Sequence, residues 1–275
     1  MGKPCEVSCR KALLKLDKRD MIKLPKAKSF PKRRGIPADV SDVAKIDGDI
    51  SKLGEIKVIQ ITKASNRLSS IWNSLMNKYH YLGSGPLCGA QIRYLAKSKY
   101  GWVGALSFSA ASWALKDRDN FISWSVAARI KNLPYVLNNS RFLIIPGVNI
   151  PNLASHILGK CIRQLANDWQ KRYNYRPVLL ETFVDPEKFK GTCYRAANWI
   201  KVGKTSGRRA SGRGDQVGNG QKDIYLYPLQ SDWRSILGEK PERGFRPHPE
   251  DPIDWVEEEF GTVEFFDNRL KDRLH

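Results

Sequence analysis

The residues best suited to move protons are Glu181 and Asp185, four apart on and just after the apolar run VLLETFV at 178–184, together with Tyr194 and with His80 between two tyrosines in YHYLG. Such groups serve as general acids and bases where an apolar pocket moves their pKa values toward neutrality. Each also has a plain structural use. Glu181 can bond backbone or Arg195, Tyr194 can pack in the core, and a histidine between tyrosines can be a buried hydrogen-bonding ring.

A different chemistry is suggested by GKTSGRRASGRGDQVGNGQK at 203–222. In and beside it stand Lys201, Lys204, Arg208, Arg209 and Arg213, each able to neutralise a phosphate, while the glycines let the backbone come close. Arg195 and Trp199 precede the loop. An exposed tryptophan there would stack a base, worth about 1–3 kcal/mol, whereas a buried one would only fill the core. The five cysteines, Cys5, Cys9, Cys88, Cys161 and Cys193, form no CxxC pair and have no histidine at zinc-finger spacing. They read as reduced thiols, and no metal site is expected.

These residues need a frame, and the chain from Val58 onward supplies an alternation of strand-like and helix-like segments. VIQIT at 58–62 opens it. In Asn66–Tyr79, Leu68, Ile71, Trp72, Leu75, Met76 and Tyr79 fall on one helical face. Gln91–Lys97 and Trp102–Ser109 predict a hairpin around KSKYG, followed by a helical region from Ala110 to about Lys131. RFLIIP at 141–146 predicts a buried strand, and Asn152 is the expected cap of a long helix striped with Leu153, Ile157, Leu158, Cys161, Ile162, Leu165 and Trp169. VLLETFV, a helical turn at Tyr194–Trp199, and strands at Ile200–Gly203 and Asp223–Leu229 complete the series.

Charge bounds the function. Lysine and arginine number 47 against 28 acidic residues, a net charge of +19, which implies a polyanionic partner. No apolar run approaches the length of a membrane span, and the N-terminus MGKPCEVSCRK has no leader-like apolar region. A cytoplasmic protein that meets nucleic acid rather than membrane is expected. The division expected is a basic N-terminal segment and linker over 1–55, an α/β core over 56–235 and a separate acidic tail over 240–275. The first 40 residues carry twelve basic against four acidic side chains, with a small amphipathic helix in Arg10–Ile22. The linker expectation covers 26–55.

The order strand, helix, hairpin, helix, strand, long helix, strand, short helix and strand resembles the GNAT acyltransferase fold, a mixed central sheet with flanking helices. That resemblance implies that RFLIIP and VLLETFV flank a split in the sheet, with Glu181 or Asp185 as general base and Tyr194 as general acid beside it. It also implies a pyrophosphate-binding turn before the long helix. Here that turn is PGVNIPN at 146–152, with one glycine and a proline where the acyltransferase pattern has two close glycines, so no cofactor is expected.

A more particular resemblance lies in CRKALLKLDKRDMIKLP at 9–25, YHYLGSG at 79–85, IRYLAKSKYGWVGALSFSAASWALKDRDNFISW at 92–124, NLASHIL at 152–158 and ETFVDPEKFKGTCYRAANWIKVGKTSGR at 181–208. These segments resemble the family of the first protein of the Druantia anti-phage system, found in defence islands and transposons. DWVEEEFGTVEFFDNRLKDRL at 254–274 resembles the opening of the DNA-binding domain of insertion-sequence transposases; the acidic catalytic domain of those enzymes is not expected in a chain that stops at His275. Together these imply a DNA-associated protein of phage defence or transposition, binding through its basic surface. The alternative is an acyltransferase-like enzyme acting on a nucleobase or a protein. A third account is an adaptor whose tail docks a helicase or transposase.

Overall fold

The computed structural model describes residues 13–24, 45–62, 64–207 and 220–238. Contacts divide the chain into two units, Met1–Ile36 and Pro37–His275. In the first, a helical turn, α1 (13–17), is closed by Asp17, whose Oδ1 accepts from the Leu24 amide at 2.8 Å.

The second unit is built on a seven-stranded mixed sheet. Its elements are β1 (Ile46–Asp47), β2 (Lys57–Gln60), α2 (Asn66–Tyr79), β3 (Gln91–Ser98), β4 (Gly101–Ala110), α3 (Lys116–Ile122), α4 (Val126–Asn132) and β5 (Val136–Ile144). There follow β6 (Val148–Asn149), α5 (Leu153–Tyr173), β7 (Leu179–Val184), α6 (Thr192–Ala196), β8 (Ile200–Lys204), β9 (Asp223–Pro228) and α7 (Trp233–Leu237). The sheet runs β2-β3-β4-β5-β7-β9-β8, and within it only β5 and β7 are parallel neighbours. The core is an α/β fold, a mixed central sheet with flanking helices.

Helix α2 forms where the apolar spacing predicts it. It buries Ile71, Trp72, Leu75 and Met76, and the Trp72 indole N–H donates to the Leu106 carbonyl at 3.0 Å, tying helix to sheet. Alternate residues of the central strands face two hydrophobic clusters. Leu137, Leu180 and Tyr225 join the cluster that takes in α2 and α5, while Val136, Leu179, Ile224 and Leu226 join that of α3 and α7. This is the period-two pattern of a sheet covered on both faces.

Three expectations are corrected in detail. Residues 45–55, placed in a linker, are structured: β1 pairs with β6 and Leu53 is fully buried in the core; 26–44 lie outside the described residues. The helical region after Ala110 is two short helices, because Ser123 takes a left-handed conformation (φ 61°) and Ser125 then caps α4 by accepting from the Ala128 amide. Asn152 precedes α5 in a left-handed conformation and makes no side-chain cap bond. The acidic tail, 240–275, lies outside the described residues, as does its expected resemblance to a transposase segment.

Candidate functional site

The parallel pairing of β5 with β7 lasts only three residues, Val136 opposite Leu179, Leu137 opposite Leu180 and Asn138 opposite Glu181. Beyond Asn138 the strands part, although β5 runs on to Ile144 and β7 to Val184. A backbone at the mouth of such a split is left without its sheet neighbour, so other segments must line it. They do so around a cavity of about 260 Å³. Its walls come from Asn139–Phe142 of β5 and Thr182–Val184 of β7; His80–Leu82, Phe189 to Tyr194 and Lys222 close round it.

The wall is shaped by a bulge. Ser107 of β4 pairs with Arg141 and Phe108 with Asn139, leaving Ser140 as the extra residue, and a bulge of this kind re-aims the flanking side chains. On one side Asn139 is fully engaged: its amide donates to the Ser107 and Arg141 carbonyls at 3.0 and 3.2 Å, and its Oδ1 accepts from the Tyr194 hydroxyl at 2.8 Å. On the other stands Arg141. Its Nε donates to the Gly83 carbonyl at 3.1 Å and one terminal nitrogen to its own neighbour's carbonyl at 2.8 Å, yet it has no carboxylate partner among the described residues. Burial lowers its pKa, as it does that of Lys222, which lies across the cavity and makes no salt bridge among the described residues, although the charge of Asp185 acts on it in the opposite sense. The lining therefore holds two half-buried cations and no carboxylate.

The rest of the lining is largely aromatic. Tyr81 and Phe189 are 45% and 52% exposed at the mouth, with ring centroids 5.9 Å apart. His80 stacks on Tyr81 at 5.0 Å, and the Lys188 ammonium sits 4.8 Å from the Tyr81 ring centroid. His80 ends α2, with its backbone N–H on the Met76 carbonyl, and its Nδ1 accepts from the Leu82 amide at 3.2 Å, so in the neutral ring the proton is on Nε2. Burial, helped by the charge of Arg141, lowers its pKa to about 4. The ring is neutral at pH 7.

Gly191 makes this arrangement possible. It has φ +65°, and a Cβ there would lie 2.6 Å from the Tyr225 hydroxyl oxygen. The missing side chain lets α6 start against β9 and brings Tyr194 over the cavity.

Of the expected catalytic groups, the structure brings His80 and Tyr194 to one cavity and leaves the carboxylates outside its lining. Glu181 is fully buried on the other side of β7. Its carboxylate accepts from the Ser112 amide at 2.8 Å and from Arg118, also fully buried, at 2.8 Å, with Asn138 at 3.4 Å. The expected base is thus the anchor of an ion pair, because an arginine taken wholly out of water demands a carboxylate. Asp185 accepts from the Glu187 amide and pairs with Lys188 at 3.0 Å; the hydrogen bond from Lys188 holds its pKa below the usual carboxylate range. Tyr194 is buried and its pKa is pushed up, so the phenol stays protonated.

The expected phosphate-binding residues disperse. Trp199 is 4% exposed and packs on Tyr194 and Tyr227, so it offers no stacking face to a base. Arg195 bonds the Lys190 carbonyl at 2.8 Å from the exposed side of α6. Lys201 pairs with Asp223 at 2.6 Å, and Lys204 is exposed on the edge strand β8. Arg208, Arg209 and Arg213 lie outside the described residues. Cys88, Cys161 and Cys193 are free thiols. No group of three or more metal-binding side chains stands together among the described residues, and no helix among them is long and apolar enough to cross a membrane.

Residue typing missed Arg141, Lys222, Tyr81 and Phe189. Arg141 had a signal, a lone cation at the head of an aliphatic strand; Lys222 had none apart from the loop it ends.

The family model described as "Druantia protein DruA" matches residues 10–217 of this sequence, most of the chain and both strands of the β5/β7 split. The chain belongs to the DruA family. This DruA-family chain is thereby placed among the proteins of an anti-phage defence system. No curated protein matches it. Solved structures similar to its core include an aminoglycoside acetyltransferase in complex with coenzyme A and kanamycin (12% identity, TM-score 0.41, covering 63% of this chain and 95% of that one). A GNAT-family acetyltransferase from Streptococcus pneumoniae matches at 13% identity and TM-score 0.41, over 64% of this chain and all of that one. A chimeric spermidine N-acetyltransferase from Vibrio cholerae and human sequences matches at 9% and 0.39, over 63% and 95%. The likeness concerns architecture and says nothing of chemistry.

Proposed function

We propose that this DruA-family chain acts in phage defence by binding nucleic acid, and that the split between β5 and β7 is the part of its surface that grips the strand. One observation carries the reading: two half-buried cations that form no salt bridge among the described residues, Arg141 and Lys222, stand behind exposed Tyr81 and Phe189. A cation withdrawn from water without a counter-ion is costly unless a ligand supplies the negative charge. Exposed aromatic faces beside phosphate-sized charges are what single-stranded binders use, since every base has a face to stack. The net charge of +19 supports a polyanion as the partner. Ultraviolet crosslinking of the full chain to single-stranded DNA, followed by peptide mapping, tests it. Crosslinks should fall in 79–85 or 188–194; crosslinks confined to other segments would remove the cleft from the interface.

Acyl transfer has one feature in its favour, the protonated Tyr194 hydroxyl on the cavity wall. Against it, that hydroxyl already donates to Asn139 and the lining holds no carboxylate base. Thermal shift separates the readings. An acyl-CoA present at 100 times its Kd would stabilise the fold by about 2.7 kcal/mol, and no shift at millimolar concentration rules the enzyme out.

A further inference from the structure

We infer that the β5/β7 cleft is a single-nucleotide site, which takes one nucleoside monophosphate unit with its base on the Tyr81–Phe189 face and its phosphate between Arg141 and Lys222. The inference rests on the nucleic-acid reading above and narrows it to a ligand.

Size comes first. The cavity of about 260 Å³ lies just under the roughly 300 Å³ at which small-molecule pockets begin, so it encloses one base with its sugar or one sugar with its phosphate, while the rest of the unit sits at the open mouth. It is too small to enclose two stacked nucleotides. Chemistry comes next, because the lining separates into two ends. The mouth is aromatic, with Tyr81 and Phe189 exposed and 5.9 Å apart, and His80, stacked on Tyr81, backs that ring from one side as a neutral ring. The inner wall is cationic. Arg141 is fixed there by its bonds to the Gly83 and Ser140 carbonyls, which leave one terminal nitrogen without an acceptor among the described residues, and Lys222 stands across the cavity, with the charge of Asp185 acting on it but no salt bridge among the described residues. An arginine held by carbonyls on one edge presents the other edge to an oxyanion.

A bare phosphate would satisfy the cations and leave the aromatic mouth in water. A free base would do the reverse. One nucleotide unit uses both ends, whether free in solution or carried by a strand.

Isothermal titration of the full chain with dAMP, dCMP and inorganic phosphate tests this, with competition by each against a fluorescein-labelled single-stranded oligonucleotide. The nucleotides should bind at a single site, tighter than phosphate by about thirtyfold, the middle of the range for one base stacked on an aromatic ring, and should displace the oligonucleotide. Phe189→Ala, at an exposed position, should remove that advantage and leave phosphate binding unchanged. Arg141→Gln and Lys222→Gln should each weaken nucleotide and phosphate alike, with melting curves reporting that each variant folds. If the oligonucleotide binds but neither nucleotide competes, the single-nucleotide site is wrong and DNA binding stands on another surface. If neither oligonucleotide nor nucleotide binds, both readings fail. Phosphate binding as tightly as dAMP overturns the aromatic half of the inference, and binding indifferent to Arg141→Gln overturns the whole.

Discussion

Replacing Glu181 by glutamine keeps the shape of the side chain and removes its charge, leaving the Arg118 guanidinium, which has no exposed side-chain area, facing an amide at 2.8 Å. Arg118 would keep Asp119 on its Nε at 2.8 Å and the Ser112 and Trp113 carbonyls. Breaking a buried pair by removing one partner costs about 3–5 kcal/mol, since an uncompensated charge stays behind. With Asp119 still in place the lower end applies, about 3 kcal/mol. For a unit of this size about 2–4 °C of Tm are lost per kcal/mol, so Glu181→Gln should melt roughly 6–12 °C below the parent. The paired variant Arg118→Met with Glu181→Leu should recover most of the loss, because a well-packed apolar pair replaces a buried ion pair at little cost. Thermal denaturation followed by circular dichroism reads both. A Glu181→Gln protein that melts within 2 °C of the parent would refute the structural assignment.

His80 has a pKa lowered to about 4 against an unfolded value near 6.5, so the unfolded chain takes up a proton that the folded one refuses. Stability is therefore full above pH 6.5 and falls as pH drops toward 4; allowing for partial exposure, about 1 kcal/mol should go between pH 7 and 5, and His80→Phe should flatten that part of the profile in urea titrations. Gly191→Ala meets both a left-handed backbone and the Tyr225 hydroxyl. A loss of about 2 kcal/mol or more is expected by the same titration, and a neutral result would mean that α6 starts elsewhere. Tyr194→Phe leaves the buried Asn139 Oδ1 without its donor and should cost about 1–2 kcal/mol with nucleic-acid affinity retained.

Much of the frame was legible from period and punctuation alone. The stripe in Asn66–Tyr79, the KSKYG hairpin and the long helix after Asn152 are found within a residue or two of where their patterns put them. What periodicity missed was local backbone choice. Nothing in Ala110–Lys131 announced that Ser123 would break the helix, and the strand headed by Arg141 begins at Val136, because Leu137 and Asn138 pair with both β4 and β7. The site was half legible. His80 and Tyr194 were found by residue type, but their partners come from four separate segments that only the split assembles. Glu181 and Trp199 misled for one reason: a carboxylate and a tryptophan look the same in sequence whether they face a ligand, an arginine or a core.

The most direct test of the cleft as the nucleic-acid grip is fluorescence anisotropy of the full chain with labelled single-stranded DNA across a salt series, compared with Arg141→Gln/Lys222→Gln. One phosphate held between Arg141 and Lys222 contributes about 0.7 to the log–log slope on a single strand, and the double variant should lower the magnitude of the slope by about that amount. A parent whose binding is weak and flat with salt, or a double variant with the parent's slope and affinity, would contradict the account.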